Sequence, residues 1–464
     1  MIVPFIDRRR ELRVLDEEWN KPGFRMIVVY GRRRIGKTRL LVEWLRQRRG
    51  VYYEAAELSY QQLAAEFSRV VGKQLGVYVS PSDVVKALED LGQRADRIAI
   101  VLDEFQYLVN ADGSLPSRLA RSIDTVLQRT NLVLVLSGSA VSFFEKELLG
   151  YRAPLHGRRT SQLRLRPLRM IEAWEFWPRL GSIDALRAYS VVGGTPAYLA
   201  LTYGVESLEE LLKRVLDPAS PLLEEALFLL RQELREPRSY AALIKAVVDG
   251  ATRPSEAAYR AGIDPRSVHR YIEVLEELDI ARRRTPLGFR RGARIFITDP
   301  YFRFYFGFIT WAKNLVEQGL VDEVVEEAKH VIDAYASKTF EEWVEQHLGE
   351  LYSLGVLPTR PVEYGSWWHR GEEIDLVVRD PGTSTSFIEA KWSDLSMYDT
   401  KNLIRELEKK AKKTGLMGPE NYYIIVARRL KNIEDEAIRL DEHRIAINYF
   451  VLAKKLRRIL GDNE

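Results

Sequence analysis

Cysteine is absent from the 464 residues of this chain. Without thiols, the protein has no disulfide bonds, no thiolate nucleophile and no cysteine-ligated zinc or iron–sulfur cluster. Long apolar runs are also missing, because the longest uncharged apolar stretch, residues 131–144, is shorter than the about 20 residues that span a bilayer. The first nine residues lack the features of a signal peptide. We therefore expect a cytoplasmic protein that is neither secreted nor embedded in a membrane.

A large excess of charge of one sign is missing too. The chain has 70 Lys+Arg against 66 Asp+Glu, a formal net charge of +4, so bulk charge alone does not indicate a nucleic-acid-binding protein. With 46% hydrophobic and 29% charged residues, the composition is that of a globular chain. The length predicts about three domains.

Residues 1–200 alternate short apolar runs with helical patterns. The apolar runs are 25–30, 51–54, 98–103 and 132–137, and the helical patterns between them include 37–47, 60–75 and 115–129. This alternation predicts βαβ units and a parallel sheet. The continuous apolar character of the runs predicts strands that are buried on both faces.

A phosphate-binding motif follows the first apolar run. The segment reads Gly31, Arg32, Arg33, Arg34, Ile35, Gly36, Lys37, Thr38 and Arg39, and its first eight residues fit G-x-x-x-x-G-K-[ST]. In such a loop, backbone N–H groups surround phosphate oxygens at the start of the following helix. We expect Lys37 to reach the β- and γ-phosphates and Thr38 to bind Mg²⁺. The three arginines depart from the small residues often found there and leave the nucleotide preference open.

An acidic pair ends the third apolar run. We expect Asp103 to hold Mg²⁺ through water, and Glu104 to orient or deprotonate the attacking water. The next run ends in Ser137, Gly138 and Ser139. Because ligands bind at the carboxyl ends of parallel strands, Ser137 or Ser139 would reach the γ-phosphate side of the same cleft.

Three further segments resemble archaeal-type ATPases related to the AAA and STAND classes. Residues 5–12 resemble the F-x-x-R-x-x-E-L box that precedes many AAA-type P-loops, and residues 156–160 and 193–199 follow in the order seen in those ATPases. The resemblance implies that the nucleotide is ATP and that Arg9 and Pro196 border its adenine.

The resemblance also assigns a role to an arginine pair. Arg158 or Arg159 would act as the γ-phosphate sensor and stabilise the phosphate during transfer. The alternative is that both are ordinary surface charges.

Residues 235–300 predict a winged helix. Three helical stretches form a helix-turn-helix outline, with Asp264–Leu278 as the recognition helix capped by Asp264. Its early exposed residues are of types that contact bases or phosphates: Arg266, Ser267, His269 and Arg270. The hairpin that follows is rich in arginine and has no acid: Arg282, Arg283, Arg284, Arg290, Arg291 and Arg294. This unbalanced positive charge predicts that the hairpin contacts DNA. The alternative is that it packs on the nucleotide domain and pairs with acids there.

The carboxyl-terminal part predicts a metal site. Along the strand 386–391, the period of two places Glu389 and Lys391 on one face, and the preceding strand presents Asp375. Two carboxylates and an amine form a divalent-metal site with a water-activating lysine. Mg²⁺ is the expected metal because the ligands are hard oxygens.

These three residues resemble the PD-(D/E)XK nuclease signature, with Ile374 where that family often has proline. The resemblance also implies an acidic metal ligand on the preceding helix, for which Glu341 is the best match. The alternative is a salt-bridged hairpin that keeps the fold without cutting DNA.

Taken together, the chain is predicted to be an α/β protein with four parts. They are a P-loop ATPase core with a parallel sheet (1–165), a helical lid (166–234), a winged helix (235–300) and a restriction-endonuclease-like α/β domain with connecting helices (301–464). This order resembles archaeal-type ATPases over nearly the whole chain.

The expected function is an ATP-hydrolysing switch that binds DNA and carries a Mg²⁺-dependent nuclease-like domain. One alternative is an ATP-driven regulator whose terminal domain is not catalytic and binds DNA or a protein. Another is a remodelling or signalling ATPase without a nucleic-acid role. The oligomeric state stays open.

Overall fold

The computed structural model describes residues 3–94 and 96–462 of the chain. The chain forms two compact units, residues 1–167 and 168–464. Across the described residues, no helix combines the length and the apolar character needed to cross a membrane.

The first unit is a parallel five-stranded sheet with helices on both faces. Its elements are α1 (Arg9–Asn20), β1 (Arg25–Tyr30), α2 (Lys37–Leu45), β2 (Gly50–Glu54), α3 (Tyr60–Leu75), α4 (Val84–Arg94), β3 (Ile98–Asp103), α5 (Phe105–Ala111), α6 (Leu115–Thr125), β4 (Leu132–Gly138) and β5 (Ser161–Arg164). Short turns of 3-10 and π helix occupy 127–129 and 143–148.

The strand order is β2-β3-β4-β1-β5, with every neighbouring pair parallel. Along β1, Met26 and Val28 enter one hydrophobic core, while Ile27 and Val29 enter the other. Such two-sided burial explains the continuous apolar runs. The predicted parallel α/β fold is confirmed. The phosphate-binding motif directly follows β1, and the acidic pair lies at the carboxyl end of β3, as the sequence predicts.

The second unit starts with helices and a hairpin. Its elements are α7 (Met170–Ala173), α8 (Ser182–Val192), α9 (Pro196–Leu201), α10 (Leu208–Val215), α11 (Glu225–Glu233), α12 (Pro237–Val248), α13 (Pro254–Ala261), α14 (Val268–Glu277), β6 (Ala281–Arg284), β7 (Arg294–Ile297), α15 (Pro300–Phe304), α16 (Thr310–Glu317), α17 (Val321–Gln346) and α18 (Leu348–Ser353). β6 and β7 pair antiparallel.

The helix predicted from Asp264 begins four residues later, at Val268. The Asp264 carboxylate accepts a hydrogen bond from the backbone N–H of Arg266 at 2.9 Å. Asp264 therefore closes a local turn before the helix instead of capping it, because an aspartate side chain stabilises both arrangements.

A six-stranded mixed sheet completes the second unit. Its elements are β8 (Glu363–His369), β9 (Glu372–Asp380), β10 (Ser384–Leu395), α19 (Met397–Ala411), β11 (Glu420–Leu430), β12 (Ala437–Arg439), β13 (Arg444–Asn448) and α20 (Tyr449–Asp462). The order is β12-β13-β11-β10-β9-β8, in which β10, β11 and β13 run parallel and the other pairs antiparallel. The β9–β10 pairing places the carboxylates predicted on these strands side by side.

Candidate functional site

The phosphate-binding motif forms the connection between β1 and α2. Arg34 and Gly36 have left-handed backbones, with φ of 66° and 89°. A Cβ atom on Gly31 would lie 2.5 Å from the carbonyl oxygen of Leu165, so only glycine fits there. The Lys37 side chain, 5% exposed, donates to the carbonyl oxygens of Gly31 at 2.9 Å and of Arg32 at 3.2 Å. The ammonium group is thus held inside the loop.

Asp103 lies at the carboxyl end of β3, next to this loop. Its Oδ2 atom accepts hydrogen bonds from Thr38 Oγ1 at 2.9 Å and from the Tyr52 hydroxyl at 2.7 Å. Burial and the Asp103 charge raise the pKa of Tyr52, which keeps its hydroxyl protonated and donating. The adjacent hydroxyl and carboxylate oxygens are hard ligands, the type that suits Mg²⁺.

Glu104 is held by two side chains, Ser139 at the end of the neighbouring strand β4 and Gln106 on α5. Its Oε2 atom accepts a hydrogen bond from Ser139 Oγ at 2.9 Å and another from Gln106 Nε2. Glu104 has a left-handed backbone, φ 49°. Ser137, the other predicted serine, is fully buried in β4. The sequence analysis missed Gln106, because a single glutamine after an acidic pair forms no pattern.

Arg8 is a second residue that the sequence analysis missed. Its buried guanidinium donates to the carbonyl oxygens of Ile35 at 3.1 Å and of Arg166 at 2.7 Å, and to Glu11 at 3.0 Å. The F-x-x-R spacing falls on Arg8, so the signal was present. The adenine contact of its neighbour Arg9 stays a prediction.

The other arginines of the loop segment differ in their surroundings. Arg32 is buried, at 1% exposure. Arg33 donates to the Tyr107 hydroxyl at 3.4 Å, and Arg39 donates to the carbonyl oxygen of Val3. These contacts are compatible with nucleotide binding, which stays a prediction for each of these side chains.

The arginine pair after β4 shows two different environments. Arg158 donates to both carboxylate oxygens of Asp124 on α6, at 2.9 and 2.6 Å, and these bonds lower the pKa of Asp124. Arg159 has a buried Nη1 atom without a hydrogen-bond partner in the described part of the chain. Phosphate sensing by either residue stays a prediction, and Arg158 would have to leave Asp124 to perform it.

The Gly-Gly-Thr-Pro turn belongs to the second unit. The backbone N–H of Leu168 donates to the carbonyl oxygen of Gly194 at 2.7 Å, and a Cβ atom on Gly194 would lie 2.0 Å from the carbonyl oxygen of Leu168. The glycine is therefore required by packing. Pro196 starts α9 at a position that suits proline. Its adenine contact stays a prediction.

Carboxylates and lysines converge on β9, β10 and α19. Glu389 accepts hydrogen bonds from Lys391 at 2.6 Å and from Lys410 at 2.7 Å, one on each oxygen. Asp375 accepts one from the backbone N–H of Ala390 at 2.9 Å, and its Oδ2 atom lies 4.0 Å from Lys391 Nζ. Lys410 was not predicted, because it lies in a lysine-rich segment with Lys409, Lys412 and Lys413.

The charges in this cluster shift each other's titration. Burial, and then the charges of Glu389 and Glu341, raise the pKa of Asp375 to about 7. Burial would also raise the pKa of Glu389, but Lys391 and Lys410 outweigh it and hold that pKa below its usual value. Burial raises the pKa of Glu341, although this carboxylate pairs with Lys338. The predicted residues are thus electrostatically coupled.

Metal binding at this cluster stays a prediction. Within residues 3–94 and 96–462, no group of three or more His, Asp or Glu is arranged to hold a metal ion. The oxygens of Asp375 and Glu389 have the right chemistry for Mg²⁺. Both oxygens of Glu389, however, are held by lysines. The residues therefore fit a metal only after these ion pairs rearrange.

The arginines of the β6–β7 hairpin fall into two groups. Half of them pair with carboxylates of the same unit: Arg282 and Arg284 with Glu345 on α17 at 3.4 and 2.6 Å, and Arg294 with Glu373 on β9 at 3.4 Å. The others, Arg283, Arg290 and Arg291, are exposed and make no ion pair among the described residues. The alternative prediction placed the paired acids on the nucleotide domain, whereas the acids that pair with these arginines lie on α17 and β9 of the second unit.

The first unit has the architecture of the P-loop ATPases, in which a G-x-x-x-x-G-K-T loop follows the first strand of a parallel sheet and an acidic residue ends a neighbouring strand. Comparisons with known proteins agree. Residues 5–202 match an ATPase domain found predominantly in Archaea. Residues 305–403 match a domain of archaeal and bacterial proteins of unknown function.

The uncharacterized protein MJECL04 of Methanocaldococcus jannaschii is 33% identical over 442 residues, which cover 93% of this chain and 97% of that protein. The chain therefore belongs to the family of that protein, and its residues 5–202 form an archaeal-type P-loop ATPase domain. The uncharacterized ATP-binding protein MJ0423 of the same organism is 42% identical over 48 residues, 10% of this chain and 81% of that protein. The Walker-type ATPase PABY2304 of Pyrococcus abyssi has the same fold over 65% of this chain and 96% of its own, with 20% identity and a TM-score of 0.51.

Proposed function

We propose that the protein is an ATP-hydrolysing switch that binds DNA through a winged helix at residues 235–300 and carries a nuclease-like carboxyl-terminal domain. The observation that carries the ATPase part is the contact of Thr38 with Asp103, beside a lysine held inside the loop. Coupling between hydrolysis and the second unit is part of the proposal and rests on analogy with other switch ATPases.

In the hydrolysis step, Lys37 would bind the β- and γ-phosphates, and Thr38 and Asp103 would hold Mg²⁺, which neutralises phosphate charge when bound. Glu104 would accept a proton from the attacking water or orient it. Ser139 and Gln106 keep the Glu104 carboxylate in one position through their hydrogen bonds. That arrangement supports Ser139 as the residue that links the γ-phosphate side of the cleft to Glu104, the proposed general base.

The DNA-binding part is supported by three helices followed by an antiparallel hairpin, the order of elements in a winged helix. In this arrangement α14 would be the recognition helix and the hairpin the wing. Arg266 before α14, and Arg290 in the hairpin loop, are exposed and make no ion pair among the described residues. Such side chains are available to phosphates.

Replacing Arg266 and Arg290 together by alanine should weaken binding to blunt duplex DNA. Because each arginine that contacts a phosphate releases counterions, the log–log slope of affinity against salt should become shallower by about 0.9 per lost contact. Fluorescence anisotropy at several salt concentrations measures both quantities. The control Arg405→Ala/Arg439→Ala removes the same charge from exposed positions on α19 and β12. An unchanged slope in the Arg266/Arg290 variant would favour an ATPase without a role on duplex DNA.

The carboxyl-terminal cluster supports two candidate functions. Asp375, Glu389 and Lys391 are brought together, as DNA cleavage by a nuclease of the resembled type requires. The two lysines on Glu389 favour the second candidate, a domain that binds DNA or a protein without cutting. Lys391 would activate water in the first case and neutralise Glu389 in the second.

The variant Lys391→Ala separates these candidates. With DNA and Mg²⁺ or Mn²⁺, a catalytic Lys391 predicts that cleavage falls by about 10²–10⁴-fold. Lys409→Ala, which removes an exposed lysine from the same helix as Lys410, should cut like wild type. Equal cleavage by wild type and Lys391→Ala would contradict a nuclease centred on Lys391. A wild-type protein that binds DNA and leaves it intact would establish the non-catalytic candidate.

A further inference from the structure

A groove of about 610 Å³ lies within the second unit, between three parts of the chain. Its walls come from the starts of α13 and α14, from the loop between β6 and β7, and from the turn between β8 and β9. None of the described residues that line it is acidic, while its basic residues are Arg253, Arg291, Arg294, Arg370, His269 and His369. We call it the basic groove.

Three of these arginines lack a counter-charge. Arg253, Arg291 and Arg370, one from each wall, are exposed and form no ion pair with the rest of the described chain. Arg294 differs, since it pairs with Glu373 at 3.4 Å and lies over the Trp368 ring at 4.8 Å. Like charges around a concave surface raise the local positive potential, which attracts a ligand with several negative charges.

Aromatic rings lie among the cations. Phe289 stacks on His369, with centroids 5.4 Å apart and an angle of 20° between the planes, and Phe289 remains 41% exposed. Trp368 Nε1 donates to the carbonyl oxygen of Gly292 at 3.2 Å, which fastens the hairpin loop to β8. Exposed rings beside a cationic track are typical of sites for single-stranded nucleic acid, because unpaired bases have free faces. Bases inside a duplex are already stacked.

The backbone of the β8–β9 turn gives a further indication. Arg370 and Gly371 both have left-handed conformations, with φ of 49° and 85°. Glycine and asparagine adopt this conformation in hairpin turns far more readily than arginine does. The arginine at this position therefore points to a role for its side chain.

We propose that the basic groove binds an unpaired single strand of nucleic acid. The inference rests on the proposed function in taking nucleic acid as the partner, and it goes further by naming a single strand and by including the β8–β9 turn in the site. The strand's phosphates face Arg253, Arg291 and Arg370, and a base lies against the exposed Phe289 ring. A volume of about 610 Å³ suits one or two nucleotides.

The test uses the full-length protein with a labelled oligothymidylate and a blunt duplex of equal length. Arg370→Ala should lower oligothymidylate affinity by about threefold or more and reduce its salt slope by about 0.7 for the lost phosphate contact. Affinity for the duplex should stay within about twofold, since Arg370 lies on the β8–β9 turn, outside the winged helix that is proposed to contact the duplex. Phe289→Leu should lower oligothymidylate affinity without changing the salt slope, because it removes stacking and no charge. Arg405→Ala, which removes one charge from an exposed position on α19, is the charge-matched control, and equal unfolding midpoints exclude misfolding.

Three results would overturn the inference: unchanged oligothymidylate binding in both groove variants, equal losses for single strand and duplex, or displacement of oligothymidylate by polyglutamate at equal charge concentration. The last would mean that the groove binds acidic chains of any kind. If wild type binds oligothymidylate and not duplex, the proposed duplex function fails while the groove inference stands. Duplex binding that depends on Arg266 and Arg290, without oligothymidylate binding, overturns the groove inference and supports the proposed duplex function.

Discussion

Replacing Glu104 by glutamine is expected to reduce ATP hydrolysis by about 10²–10⁴-fold while ATP binding is retained. Glutamine has the size of glutamate and still accepts hydrogen bonds from Ser139 and Gln106, but it cannot take a proton from water. Steady-state phosphate release measures hydrolysis, and equilibrium binding of a fluorescent ATP analogue measures affinity. Lys37→Ala should instead abolish binding itself, because it removes the charge held inside the loop.

The control for this experiment is Glu147→Gln, which changes an exposed glutamate of the same unit. It should hydrolyse ATP at the wild-type rate. If Glu104→Gln keeps more than a tenth of wild-type hydrolysis, Glu104 is not the general base. A parallel loss of binding would show that its carboxylate, with Ser139 and Gln106, mainly maintains the shape of the cleft.

Replacing Asp375 by asparagine is expected to stabilise the second unit, and to do so only towards neutral and alkaline pH. The folded state raises the pKa of Asp375 from 3.8 to about 7, so ionisation is less favourable in the folded than in the unfolded chain. Wild-type stability is therefore lost as pH rises from about 4 through about 7, by up to about 4 kcal/mol. Asparagine stays neutral and avoids that loss.

Urea unfolding at pH 4.5 and pH 8, followed by tryptophan fluorescence, measures this difference. The signal reports the second unit, because only Trp19 and Trp44 of the nine tryptophans lie in the first. The free energy of unfolding of Asp375→Asn should exceed that of wild type by more at pH 8 than at pH 4.5. The control Asp435→Asn changes an exposed position of the same unit. Its free energy of unfolding should differ from that of wild type by the same amount at both pH values. An Asp375→Asn protein that is less stable than wild type at pH 8 would refute the assigned pKa shift.

The predicted strands of the first unit were found within one residue of their bounds. β1, β3 and β4 are continuous apolar runs buried on both faces, while β2, at the edge of the sheet, buries only alternate residues. β5 was missed, since only Leu163 of its four residues is apolar and none of the four is buried. The predicted start of α14 was wrong for a different reason. Asp264 and Pro265 are the residues of a helix start, but they also suit a tight turn, and the choice between the two depends on packing.

The sequence by itself determined the arrangement of the candidate nucleotide site, because Lys37 and Thr38 lie on one strand–loop–helix segment and Asp103 and Glu104 end a buried strand of the same sheet. Local backbone geometry and the direction of parallel strands are sufficient to bring such residues to one edge. It also determined that Glu389 and Lys391 share a face, since the strand period is two.

Only the tertiary structure decided which other side chains these groups contact. It joined Lys410 to Glu389 and Glu345 to the hairpin arginines, and it placed Arg370 and Arg253 in the lining of one groove. These residues are separated by 21 to more than 100 positions, and no local pattern specifies their pairing. Such contacts are selected by burial and by the way whole helices and strands pack, which is why the neutralised Glu389 and the acid-free groove emerged only from the fold.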